Sequence, residues 1–222
     1  MQLQLHGAQE HLIDVIRKLY LGVHYVCGAD VAGDVAEFGT MTGTTARLLA
    51  QALHDLDHAH NGKKKLHLFD SFIGLPDAES DVDRQSPHVQ SGAWDPGRCR
   101  GISQQQLSDI CTQLLPREKV LIYDGWFKDT LCRIPDGTQL ALVHVDCDLY
   151  QSAMDVFDYC FSRHVIAPGA AVFCDDWNCN RASPQWGERR AWAETVEKYS
   201  VEFSDSGEYG WAGHKFIVHG YT

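Results

Sequence analysis

Five short, nearly all-apolar runs constrain this chain more than any other feature: Asp34-Val35-Ala36-Glu37-Phe38, Leu66-His67-Leu68-Phe69-Asp70, Val120-Leu121-Ile122-Tyr123-Asp124, Leu140-Ala141-Leu142-Val143-His144-Val145-Asp146 and Ala170-Ala171-Val172-Phe173-Cys174-Asp175-Asp176. Runs of this length with little polar alternation suit strands buried on both faces, and such strands belong to parallel sheets covered by helices. Amphipathic stretches lie between them. Ala46, Leu49, Ala50 and Leu53 share a helical face, Ser103 to Leu115 reads as a second helix, and Ala153, Val156, Phe157, Cys160 and Phe161 form a stripe from Ser152 to Ser162. The alternation predicts an α/β fold: a doubly wound, mostly parallel sheet with helices on both faces.

The ends of the chain extend this frame. Leu12, Val15, Ile16, Leu19 and Tyr20 mark a leading helix that caps the core within residues 1–30 and is expected to end near Gly22. Glu188 to Tyr199 reads as a last helix, followed by a C-terminal antiparallel hairpin of Val201 to Phe203 and His214 to His219 around Gly207 to Gly213. Residues 75–101, rich in Pro, Asp, Gly and Ser, are long for a passive connection and are expected to form a lid. A length of 222 residues suits one domain over 1–222.

The formal charge of −11 argues against a nucleic-acid partner, because tracking phosphates requires Lys and Arg to displace counterions. The one basic run, Lys63-Lys64-Lys65, is expected to be a solvated turn. Cysteines at 27, 99, 111, 132, 147, 160, 174 and 179 contain no Cys-x-x-Cys pair, so most read as small core residues with free thiols in a reducing cytoplasm. No signal pattern or membrane-length apolar run is evident, so no membrane partner is expected. The leading helix and the loop before Gly101 are the candidate contacts for a homo-oligomer.

In open parallel sheets ligands bind beyond the carboxyl ends of the strands. That edge would gather Glu37, Asp70, Asp124, Asp146, Asp148, Asp175 and Asp176, whose mutual repulsion calls for a bound cation. The turn Glu37-Phe38-Gly39-Thr40-Met41-Thr42-Gly43 permits close backbone approach at two glycines, but it is not the three-glycine fingerprint of a dinucleotide site. Asp70 either accepts the hydroxyls of a ribose or serves as a cap or solvated loop acid. Asp146-Cys147-Asp148 on the fourth run and Asp175-Asp176 on the fifth would meet on adjacent strands. Three hard oxygen donors there suit Mg2+ better than zinc; the competing reading is a set of independent capping and turn acids. Asp148 is expected to cap the following helix, His144 to be a satisfied core histidine and His214 to lie on a surface strand. Trp126, directly after Asp124-Gly125, is a cofactor-side aromatic candidate.

Several segments in order resemble the macrocin O-methyltransferase family: Glu37-Phe38-Gly39 with Gly43; Phe69-Asp70-Ser71-Phe72-Ile73-Gly74-Leu75-Pro76; Gly125-Trp126-Phe127-Lys128-Asp129-Thr130-Leu131; His144 to Ser152; and Pro168-Gly169 before Asp175-Asp176-Trp177. The resemblance implies a Rossmann-like class I methyltransferase fold, S-adenosylmethionine and Mg2+ as cofactors, and a small-molecule hydroxyl acceptor, a sugar in a natural product or glycoside. By position it implies Glu37, Gly39 and Gly43 around the methionine end of the cofactor, Asp70 and Ser71 at the ribose, and Asp124 and Gly125 near adenine. It also implies Asp146, Asp175 and Asp176 as metal ligands, with Asp146 as general base. Trp177-Asn178 departs from the family pattern and leaves the acceptor open, a catechol-type phenol being the alternative. An Asp-x-Asp phosphatase would want Thr or Val where Tyr150 stands, and an Asp-x-Asp glycosyltransferase leaves the Glu-Phe-Gly turn unexplained.

Overall fold

The computed structural model describes residues 7–57 and 62–222. Its seven strands are β1 (Asp34–Phe38), β2 (Leu66–Asp70), β3 (Val120–Asp124), β4 (Leu140–Val145), β5 (Ile166–Cys174), β6 (Glu202–Tyr209) and β7 (Gly213–Gly220), in the sheet order β3-β2-β1-β4-β5-β7-β6. The first five are parallel, and β7 runs antiparallel between β5 and β6. Strand order reverses between β1 and β4, so the chain leaves the middle of the sheet in both directions and opens a crevice at their carboxyl ends.

Alternation along each strand divides the core into two layers. Val35, Leu66, Leu68, Leu142 and Phe173 face α1 (Gly7–Gly28), α2 (Thr44–Leu56) and α5 (Gln104–Thr112). Ala36, Phe38, Phe69, Val143 and Val172 face α7 (Tyr150–Ser162) and α8 (Gly187–Tyr199), and Phe127 of the short α6 (Phe127–Thr130) packs against this layer. In the second layer Trp192 stacks on Phe216 at 4.6 Å and meets Phe157 edge-on at 5.5 Å. Burying each such ring contributes roughly 1.5–3 kcal/mol before ordering costs. α5 starts where expected because Ser103 and Gln106 close a capping box.

Four expectations are revised. α1 runs through Gly22 to Gly28, because a Cβ at Gly22 would lie 2.6 Å from the Phe173 ring: the glycine lets the helix sit on β5. Lys64 is not solvated. It is buried, and its Nζ donates to the carbonyls of Val31 at 2.6 Å and Gly33 at 2.7 Å, which closes the entry to β1. The hairpin strands are longer than their apolar runs, with β6 extending to Tyr209 because ladder bonds to β7 hold its polar residues. The stretch 75–101 holds two short helices, α3 (Asp81–Gln85) and α4 (Pro87–Gln90), each capped by a serine. All eight cysteines are free and five of them are buried. No described helix is long and apolar enough to cross a membrane.

Candidate functional site

Beyond the last ladder bonds, the tips of β1, β2, β3 and β4 are tied to one another. Gly39 N–H donates to Phe69 O at 2.9 Å, Asp146 N–H to Phe38 O at 2.9 Å, and Gly125 N–H to Asp70 O at 3.0 Å. Gly39 has φ 94°, and a Cβ there would fall 1.8 Å from the carbonyl oxygen of Asp146. Only glycine permits that approach. A cavity of about 640 Å³ opens over these tips. Gly39, Asp70, Ser71, Gly125, Trp126 and Asp146 line it, together with residues of the 75–101 stretch including Cys99 and the first turns of α7.

Glu37, Gly43, Asp124, Asp175 and Asp176 are outside this lining. Gly43 precedes α2 in a left-handed conformation and packs toward Ile102. Asp124 is exposed, and its carbonyl accepts from Arg133. The Asp70 carboxylate is occupied locally: Oδ2 accepts from Thr40 N–H at 2.8 Å, Thr40 Oγ1 at 2.9 Å and Met41 N–H at 3.1 Å, while Oδ1 accepts from Phe72 N–H at 2.7 Å. It shapes the loop after β1, and Oδ1 retains acceptor capacity toward the cavity. Ser71 Oγ donates to Gly74 O and accepts from Ile73 N–H, which turns the chain into the 75–101 stretch.

The acids of β4 and β5 adjoin this cavity. Glu37 is fully buried, and its Oε1 pairs with His144 Nδ1 at 2.9 Å, while His144 Nε2 faces Asp175 Oδ1 at 3.6 Å. Burial alone would lower the His144 pKa, but its contacts with Asp175 and Glu37 outweigh that and raise it well above the ordinary histidine range. His144 is therefore more than a satisfied core residue, since it joins the β1 acid to a β5 acid. Burial pushes the Asp175 carboxyl up, yet His144 more than offsets this and holds it below the usual range. Asp146 and Asp176 go the other way, raised by burial and then by neighbouring carboxylates. Burial and the charge of Asp175 push Asp148 up to about 6, although a bond from Cys99 acts against them.

Asp148 does not cap α7. Its N–H donates to Asp176 Oδ2 at 3.0 Å and its φ is 64°, while the first N–H groups of α7 are satisfied by Asp83 of the 75–101 stretch. Glu188, in the first turn of α8, escaped the sequence reading. It is fully buried and accepts from Asp176 N–H at 2.9 Å and Cys147 N–H at 3.5 Å, so it pins the β4 and β5 tips from beneath. An acid in the first turn of a helix is common, and nothing in its spacing signals that task.

Among the described residues, no three His, Cys, Asp or Glu side chains converge as a ready-made metal set. Asp176 is turned to Asp148 N–H and the Cys179 thiol, and Asp175 to His144. The donor chemistry nevertheless suits a hard divalent cation: carboxylate oxygens with repelling charges, and a buried Asp175 Oδ1 without a hydrogen-bond partner. His214 pairs with Asp205 at 2.8 Å on the terminal hairpin, and Trp177 stacks against it.

Strand order and crevice together define a Rossmann-like α/β fold. Its solved neighbours include the O-methyltransferase NovP, at a TM-score of 0.73 and 24% identity over 94% of this chain and 81% of that one. Another is the calicheamicin methyltransferase CalS11, at 0.70 and 22% over 93% and 79%. The model of the macrocin O-methyltransferase (TylF) family matches residues 14–199, and the chain belongs to that family. It is 30% identical over 161 residues to the 8-demethyl-8-(2,3-dimethoxy-alpha-L-rhamnosyl)-tetracenomycin-C 4'-O-methyltransferase of Streptomyces olivaceus, covering 70% of this chain and 57% of that protein. It is also 30% identical over 161 residues to the demethyldecarbamoylnovobiocin O-methyltransferase of Streptomyces niveus, covering 70% of this chain and 56% of that protein. The chain spans a little over half the length of the curated relatives it matches.

Proposed function

We propose that this chain is an S-adenosylmethionine- and Mg2+-dependent O-methyltransferase acting on a small-molecule hydroxyl, that of a sugar in a natural product or glycoside, in a reducing cytoplasm. The observation that carries the reading is the single cavity in which the Gly39 turn, the Asp70-Ser71 tip, Gly125-Trp126 and Asp146 meet. Family membership and relatives whose names specify O-methyl transfer on glycosylated natural products support it.

Gly39 gives the cofactor close access to backbone beside Asp146, with Glu37 beneath the turn. Asp70 and Ser71 form the ribose side, and Asp124 with Gly125 and Trp126 the adenine side. The methyl group of a sulfonium is already electrophilic, so the protein's task is to hold an acceptor oxygen in line with the carbon–sulfur bond and to remove its proton. Asp146 takes that proton as general base. It lines the cavity at the crevice between β1 and β4, where the acceptor oxygen would lie. The oxygen–carbon bond forms as the carbon–sulfur bond breaks, leaving a methyl ether and S-adenosylhomocysteine. Asp146, Asp175 and Asp176 would hold Mg2+, which when bound lowers the acceptor hydroxyl pKa and orients it.

Calorimetric titration with S-adenosylhomocysteine tests the cofactor assignment. One equivalent should bind with micromolar-scale affinity, and Gly125→Val should weaken binding at least tenfold, because φ of 131° strains any side chain there and a Cβ would crowd Thr130 Cγ2 at 3.1 Å, shifting the turn that lines the cavity. Absence of any binding by the unaltered protein contradicts the proposal.

A further inference from the structure

The two acid-bearing tips are held from above by the lid at two separate points. The first is Asp83, a carboxylate only 2% exposed, whose oxygens accept from Tyr150 N–H at 2.8 Å and Gln151 N–H at 3.0 Å. These are the opening residues of α7, whose own N-cap residue, Leu149, supplies no side-chain bond. A residue far away in the chain therefore provides the missing cap and ties the lid to the turn that follows Asp146 and Asp148.

The second is a reciprocal pair. His88 N–H donates to Asn180 Oδ1 at 2.9 Å, Asn180 N–H donates to His88 Nδ1 at 3.0 Å, and Nδ1 also lies 3.0 Å from Asn180 Oδ1. Asn180 is 1% exposed and follows Asp175-Asp176 in a turn where Asn180, Arg181 and Ala182 all have positive φ, of 55°, 62° and 52°. Left-handed backbone is strained for residues that carry a Cβ, so an unclasped chain would relax from this turn. His88 is itself backed by the buried Trp94 ring, with centroids 4.5 Å apart.

On the proposal that Asp146, Asp175 and Asp176 take a divalent cation, we infer that lid residues 80–94 form a clamp that sets the spacing of the two acid-bearing tips, with Asp83 and His88 as positioning residues. Neither residue donates to the metal. Asp83 fixes the β4 side through α7, His88 fixes the β5 side through Asn180, and short helices α3 and α4 join the two holds.

The test is titration of Mn2+, followed by the loss of its free-ion electron paramagnetic resonance signal, in the unaltered protein and in Asp83→Asn, His88→Ala and His88→Asn. S-adenosylhomocysteine affinity is measured alongside. Asp83→Asn and His88→Ala should weaken Mn2+ binding at least tenfold while leaving S-adenosylhomocysteine affinity within about threefold. His88→Asn should restore Mn2+ affinity to within about threefold, since its side-chain oxygen can replace Nδ1 as the acceptor for Asn180 N–H. Unchanged Mn2+ affinity in the first two variants overturns the clamp, as does parallel loss of both ligands, which would mark a general folding element. Failure of the unaltered protein to bind Mn2+ overturns the metal assignment and the clamp together.

Discussion

Gly39→Ala is expected to destabilise the protein by on the order of 3–5 kcal/mol, combining backbone strain with overpacking against a neighbour that cannot step aside. The new Cβ would lie 1.8 Å from the Asp146 carbonyl oxygen and 2.9 Å from its carbonyl carbon, both backbone atoms of the adjoining strand tip. The bond from Asp146 N–H to Phe38 O would have to yield, and with it the junction of β1 and β4. Urea unfolding followed by circular dichroism measures the loss. Residual folded protein should also show S-adenosylhomocysteine affinity reduced at least tenfold, because the same shift changes the floor of the cavity. Stability within about 1 kcal/mol of the unaltered protein would show that the tips separate easily.

The second large effect is kinetic. Asp146→Asn should lower kcat about 10³-fold, within the range expected for a general base. Cofactor affinity should change little, because the tip is held by the backbone bond from Asp146 N–H to Phe38 O, which the variant keeps. Removing one of several crowded carboxylates also relieves the repulsion of Asp146 with Asp175, Asp176 and Asp148, and its share in raising Glu188, whose carboxyl is elevated first by burial and then by acidic neighbours. The variant should therefore have a higher Tm than the unaltered protein in chelator-treated buffer at pH 7.5 and a smaller gain on adding Mg2+. Differential scanning calorimetry with and without metal separates these terms from the kinetic one. A kcat within tenfold of normal would remove Asp146 from the proton-transfer role.

The sheet was legible because each central strand is apolar on both faces, and the acids at the tips were legible because strand ends are predictable from those runs. Asp70, Gly125, Trp126 and Asp146 reach one cavity through that logic alone. Residues whose roles depend on contacts distant in the chain were not legible. Gly22 resembles a helix terminator until Phe173 is placed against it, and Lys64 resembles a solvated charge until the carbonyls of Val31 and Gly33 surround it. Asp83 caps a helix 67 residues away, and Glu188 accepts from the tips of two other strands. The Asp70 carboxylate carried an ambiguity that local composition could not resolve, between a ligand contact and a loop brace. In the structure the brace accounts for four of its contacts.

The most direct test supplies S-adenosylmethionine tritiated on its methyl group to a panel of glycosides and phenols, with Mg2+ and with chelator, and measures label recovered in the extracted acceptor. The account predicts alkali-stable ether methylation of a sugar hydroxyl in the Mg2+ arm, reduced at least a hundredfold by chelator and about a thousandfold by Asp146→Asn. Equal labelling with chelator and in Asp146→Asn would contradict it.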